Sequence, residues 1–75
     1  MNVEAVVARI FNLDTWEVTD QSSRETVTEW DSMGHLSLIL GLEEEFNVSL
    51  AIEDAMEMTS VQHIKRILKD YGVAS

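Results

Sequence analysis

Asp31-Ser32-Met33-Gly34-His35-Leu36-Ser37-Leu38-Ile39-Leu40-Gly41-Leu42-Glu43-Glu44-Glu45-Phe46 is the stretch whose reading decides the fold. Asp31 is a good acceptor for the free amides that begin a helix, and nothing from Ser32 to Phe46 interrupts one. At about 100° per residue, His35, Leu38, Ile39, Leu42 and Phe46 share one broad arc. Met33, Leu36 and Leu40 form a second stripe beside it, with Glu43 and Glu44 nearby. An amphipathic helix in a small bundle needs only one inward stripe. Two readings stay open: the helix is central and buried on most sides, or the second stripe is partly exposed as a docking strip. An apolar centre with a charged rim is how transient interfaces are built, and Met adapts to several partners.

Outward from this helix the pattern stays helical. Val3, Val6, Val7, Ile10 and Phe11 recur at three- and four-residue steps and predict a first helix over roughly 2–13. Between Asp14 and Trp30 the periodicity stops, and Trp16, Val18, Val27 and Trp30 are the residues expected to pin that long loop to the bundle. Asn47-Val48-Ser49 breaks the central helix, and a short helical turn is predicted over 53–58. Thr59-Ser60-Val61-Gln62 reads as a capping box before a last helix that turns Val61, Ile64, Ile67 and Leu68 inward and stops at Gly72. The expectation is an all-α fold of one domain over 1–75: a small four-helix bundle, three main helices and one short one, with a long first loop.

Charge is distributed unevenly. No Lys or Arg falls between Arg24 and Lys65, while nine Asp and Glu do, so the net charge of −9 is concentrated around Ser32. Such a surface repels nucleic acid and anionic membranes and suits partners with basic patches. Without cysteine there is no disulfide and no thiolate metal site. No apolar run approaches the roughly 18 residues of a membrane span, and Met1-Asn2-Val3-Glu4 lacks a signal-peptide pattern. A monomeric cytoplasmic protein is the expectation.

Ser32 falls at the first helical position. A phosphodiester on its hydroxyl would face the free amides and positive end of the helix. Serine is also common at helix starts, so both readings stand on chemistry alone.

The combination of Asp31-Ser32-Met33 with Leu36, Leu38 and Leu42-Glu43-Glu44-Glu45-Phe46 resembles the acyl carrier protein signature. The similarity runs on through Leu50, Ala55, Thr59, Val61-Gln62 and Ile64, and back to Val18-Thr19. The resemblance implies the acyl-carrier-protein-like bundle, with Ser32 esterified by 4′-phosphopantetheine that a phosphopantetheinyl transferase takes from coenzyme A. Asp31 and His35 would stand beside that group. It further implies docking to acyl-loading and acyl-processing enzymes through Met33, Leu36, Leu40, Glu43 and Glu44, and an acyl pocket formed by Leu38, Ile39, Leu42, Leu50 and Met58. Several positions depart from the common pattern: Gly34 and Ser37 replace acids, Gly41 replaces alanine, Thr28-Glu29-Trp30 replaces Leu-Gly-x, and Arg24 replaces a loop aromatic. Trp30-Asp31-Ser32 with His35 is more similar to free-standing carriers of specialised pathways than to the housekeeping fatty-acid set. A carrier of aminoacyl, hydroxyacyl or glyceryl groups on the same fold is an alternative, as is an unmodified acidic docking module.

Other chemistry is poorly supported. Ser32 and His35 lie one turn apart, but a hydrolase also needs an orienting group, an oxyanion hole and a cleft. His35 is expected to pack beside the core near Ser32 or to hydrogen-bond a phosphodiester there. Glu43, Glu44 and Glu45 point about 100° apart and cannot converge on one metal ion.

Overall fold

The structure, a computed structural model, describes residues 2–73. It contains α1 Val3–Phe11, α2 Ser32–Phe46, α3 Ile52–Glu57 and α4 Val61–Asp70, with one turn of 3-10 helix at Thr15–Glu17 inside the first loop. Three main helices and one short one are present, as the periodicity predicts. The fold rests on a core in which Val3, Val6, Val7 and Phe11 of α1 meet Leu38, Ile39 and Leu42 of α2 and Val61, Ile64, Ile67 and Leu68 of α4. Met58, Val18 and Trp30 complete it from the connecting segments.

The helix ends have local causes. Asn2 caps α1, its Oδ1 accepting from the Ala5 N–H at 2.8 Å. At the other end, α1, α2 and α4 stop alike. Asn12, Asn47 and Gly72 take left-handed backbone conformations, with φ of 57°, 54° and 81°. The next N–H then turns back onto the helix: Leu13 to Ala8 at 2.8 Å, Val48 to Glu43 at 3.1 Å and Val73 to Leu68 at 2.9 Å. Asn and Gly tolerate that conformation best, and the returning residue is apolar in each case. Leu13, Val48 and Val73 all pack against the core.

Two expectations about local structure need correction. Ser60, not Thr59, caps α4, with its Oγ accepting from the His63 N–H at 3.2 Å. The predicted box fails because its two amides bond elsewhere: the Gln62 N–H donates to the Asp20 carbonyl of the first loop at 3.2 Å, and the Thr59 N–H to the Glu57 carbonyl at 2.9 Å. The Thr59 carbonyl accepts from the Arg24 N–H at 3.1 Å. Trp16 does not anchor the loop; it is 80% exposed. A Glu17 carboxylate that accepts from the Asp14 N–H at 3.0 Å closes its 3-10 turn on itself, so the ring stays outside.

Backbone pairing pins the loop instead. The Val61 N–H donates to the Ser22 carbonyl at 2.9 Å, beside the Arg24 and Gln62 bonds, and Ser23 and Ser60 form an isolated antiparallel bridge. Lys65 adds an ionic tie, its Nζ donating to Asp20 at 2.7 Å and to Glu4 at 2.6 Å. These contacts join α4, the loop and α1 at one point.

The Asp20 hydrogen bond first, and the Glu4 hydrogen bond next, hold the Lys65 ammonium above its ordinary 10.5. For Tyr71 the Ala51 N–H pulls the phenol down. The hydrogen bond to Asp54, burial and the Asp54 and Glu53 charges together outweigh that pull and leave it above 10.0. In both cases folding favours the protonated form. That stabilisation is complete below the ordinary value and is lost as pH rises past the raised one. Melting temperature is therefore expected to hold through neutral pH and to fall above about pH 10. Lys65→Met should melt lower at neutral pH and decline less steeply in base. Parallel alkaline melting curves for the two proteins would show that the tie contributes nothing.

Candidate functional site

The head of α2 is organised by its cap. Asp31 Oδ1 accepts from the Gly34 N–H at 2.8 Å, and the Asp31 carbonyl accepts from the His35 N–H at 2.7 Å. Ser32 follows as the first helical residue and is exposed. Its side chain therefore stands free while the cap beside it is held.

Behind Ser32 the chain makes a close approach. A Cβ placed on Gly34 would lie 2.2 Å from the Glu29 carbonyl oxygen and 3.0 Å from the Phe11 ring. Only glycine lets the Glu29–Trp30 segment lie this near the helix. Trp30 consequently sits inside the molecule, 1% exposed, with its ring centroid 5.5 Å from that of Phe11. Its indole Nε1–H donates to His35 Nδ1 at 2.9 Å. The two rings lie within 15° of parallel with centroids 6.3 Å apart, an edge-to-edge meeting. The other imidazole nitrogen, Nε2, is 2.8 Å from the Ala55 carbonyl of α3.

These two contacts define the tautomer. An indole N–H only donates and a carbonyl only accepts. Nδ1 must therefore be bare and Nε2 must carry the proton. Both ring nitrogens are thus engaged, and His35 is half-buried between Trp30 and Ala55.

Between α2 and α3 lies an open cavity of about 260 Å³, lined by Ser32, His35, Leu36, Ile39, Leu50, Ile52, Ala55 and Met56. Its wall is mostly apolar and carries no charged residue. Only Ile39 and Leu50 of the five residues expected to form a pocket line it. Leu38, Leu42 and Met58 are fully buried in the core instead. The reason is helical geometry: Ser32, His35, Leu36 and Ile39 stand at i, i+3, i+4 and i+7 on one face, and Leu38 and Leu42 turn off that face into the core. Sequence reasoning missed Ile52, Ala55 and Met56. Their own i, i+3, i+4 spacing marks an apolar face on the short helix and could have found them.

Met33, Leu36 and Leu40 are 78%, 58% and 57% exposed, so the second stripe of α2 faces solvent. Ile52 and Met56 of α3 are exposed beside the cavity as well. Glu44 is exposed, whereas Glu43 is half-buried and uses one carboxylate oxygen to accept from the Leu50 N–H at 2.8 Å. Among the described residues there is no group of three side chains able to hold a metal ion, and no helix is long and apolar enough to cross a membrane.

Comparison with known proteins is informative. The acyl carrier protein of Buchnera aphidicola subsp. Baizongia pistaciae is 33% identical over 69 residues, covering 92% of this chain and 88% of that protein. The acyl carrier protein of Helicobacter pylori is 29% identical over 73 residues, covering 97% and 94%. Among solved structures, the solution structure of holo acyl carrier protein from Geobacter metallireducens superposes with a TM-score of 0.79 over 91% of this chain and 78% of that one. At 20% identity this last likeness concerns the fold alone. No family model matches the chain.

The Gly34 contact yields a test with an unusual sign. In an ordinary helix interior, Gly→Ala stabilises by up to about 1 kcal/mol. Here Gly34→Ala should destabilise by about 2 kcal/mol or more, because backbone rather than a flexible side chain must move. Tryptophan fluorescence should shift to the red as Trp30 loses its burial. Unchanged or increased stability in denaturant titration would contradict the close approach.

Proposed function

The chain belongs to the acyl carrier protein family, and on that premise we propose that Ser32 is the residue that bears its 4′-phosphopantetheine. The observation that carries the assignment is the exposed hydroxyl at the first position of α2, beside a held cap and at the mouth of an apolar cavity. The residues fit such a group. Asp31 bonds the Gly34 and His35 amides, which leaves those of Ser32 and Met33 nearest to a phosphodiester. When bound, the arm supplies a terminal thiol that holds an acyl group as a thioester. The absence of cysteine from the chain is thus no obstacle.

The chain itself acts as a carrier. Ser32 presents its oxygen for esterification, and the base that takes its proton belongs to the transferase, because both His35 nitrogens are engaged. The cavity favours an uncharged apolar cargo over an aminoacyl group, whose ammonium would find no counter-charge on the wall. Its volume falls just below the roughly 300 Å³ at which small-molecule pockets begin, which suits a short chain. Polyketide, fatty-acid and other specialised assembly all use such cargo, in the cytoplasm.

Docking is assigned to Met33, Leu36 and Leu40, an apolar strip on a helix that itself carries no base, with Glu44 as its exposed carboxylate. Glu43 contributes charge while holding Leu50 in place. Basic surfaces on the transferase and on acyl-processing enzymes are the complement.

Incubation with a broad-specificity phosphopantetheinyl transferase, coenzyme A and Mg²⁺ should add the mass of one arm to the wild type and none to Ser32→Ala. A folded wild type of unchanged mass would sink the carrier reading; a gain that persists in Ser32→Ala would move the site elsewhere. For the strip, Met33→Ala combined with Leu36→Ala should slow loading on the order of tenfold, an interface loss of about 1.4 kcal/mol. Since both residues are exposed, the melting temperature should hardly move, and unchanged loading kinetics would remove the strip from the interface.

A further inference from the structure

We propose that His35 is a positioning residue that latches α3 against α2 and thereby limits how large a cargo the cavity accepts; the cargo half of this rests on the reading of Ser32 given above. No residue of the six-residue α3 is fully buried; its apolar attachment is the buried C-cap Met58, with Ala55 packed partly against the core. Polar ties supply the rest: His35 on the Ala55 carbonyl, the Tyr71 hydroxyl between the Ala51 N–H and the Asp54 carboxylate, and Glu43 on the Leu50 N–H just before it. The first of these ties joins two side-by-side members of the cavity wall, His35 of α2 and Ala55 of α3, and so bears on the distance between the two helices; the Glu43 tie holds a third wall residue, Leu50, ahead of α3.

The latch is stiff because its far side is anchored. The imidazole cannot swing away from Ala55 without also leaving Trp30 Nε1–H, which sits in a fully buried ring locked against Phe11. An abandoned buried donor is costly. α3 is therefore referenced, through one side chain, to the rigid core and not to a mobile surface group. Cargo that fits the present gap leaves both bonds intact. A longer chain must part α3 from α2 and break the bond to Ala55.

Two substitutions separate the two halves of the latch. In His35→Gln the side-chain amide nitrogen lies where Nε2 lies and can still donate to Ala55. In His35→Asn the shorter amide can accept from Trp30 but cannot reach Ala55. In the unloaded protein, amide exchange from Ala55 to Met58 should be roughly three- to tenfold faster in His35→Asn and near wild type in His35→Gln. Nitrogen NMR of the wild type should show a bare Nδ1 and a protonated Nε2. Loaded with acetyl, butyryl, hexanoyl and octanoyl groups, the wild type should gain melting temperature only up to a short chain length. In His35→Asn that limit should move to longer chains, and His35→Gln should restore it.

Equal exchange in wild type and His35→Asn overturns the latch, as does equal acceleration in both variants, which would mean the ring acts by packing alone. An Nδ1–H tautomer overturns it too. A loaded wild type indifferent to chain length overturns the cargo half along with the cavity reading, and leaves the exchange comparison to decide the latch separately. Should His35→Asn fail to fold, Trp30→Phe keeps an aromatic ring against Phe11 and removes the donor; the latch then requires faster exchange in α3, and unchanged exchange overturns it.

Discussion

A buried indole must find an acceptor for its N–H, and in this protein that acceptor is His35 Nδ1, 2.9 Å from Trp30 Nε1. An unmet donor inside the molecule would cost about 1–3 kcal/mol. The requirement propagates outward. It forces the His35 proton onto Nε2, which then bonds Ala55 and brings α3 over α2. It also needs Trp30 seated deep enough to reach His35, and that seat exists because Gly34 lets the Glu29 carbonyl approach the helix. Trp30 and Gly34, two of the departures from the common pattern, thus belong with His35 to one physical unit around Ser32.

The rest of the molecule divides its work between apolar and polar contacts. α1, α2 and α4 are joined by burial, whereas α3 has no fully buried residue and adds hydrogen bonds to side chains to the burial of its C-cap Met58. Burial resists small displacements in every direction, whereas a hydrogen bond is lost over a short distance. The fold is therefore firm on three sides and adjustable on the side where the cavity opens. The long first loop belongs to the firm part, because backbone bonds to the start of α4 and the Lys65 tie to Asp20 and Glu4 secure it.

Legibility in the sequence followed the range of the forces involved. The stops at Asn47 and Gly72, and the inward positions of α4, were readable because caps and periodicity are local. The two tryptophans show where that ends. Trp16 and Trp30 have the same chemistry and lie in the same loop, yet one is exposed and the other is in the core. Phe11 and the gap at Gly34, both distant in sequence or set by the fold, seat Trp30, and no such neighbour covers Trp16 on its locally closed turn. The cap of α4 moved by one residue for a similar reason: the first loop claimed the amide of Gln62 from a distance.

By itself the sequence determined four helices, an exposed serine at the head of the second and an acidic field around it, since each depends on neighbours a few residues away. It also carried enough of a family pattern to name the carrier role. Tertiary structure alone decided that Met33, Leu36 and Leu40 face solvent, and that the cavity is walled by Ile39, Leu50, Ile52, Ala55 and Met56 and not by Leu38, Leu42 and Met58. A helix with apolar residues around most of its circumference does not say which face its neighbours will cover. That choice is made by packing, when α1 takes one side of α2 and leaves the short helix the other.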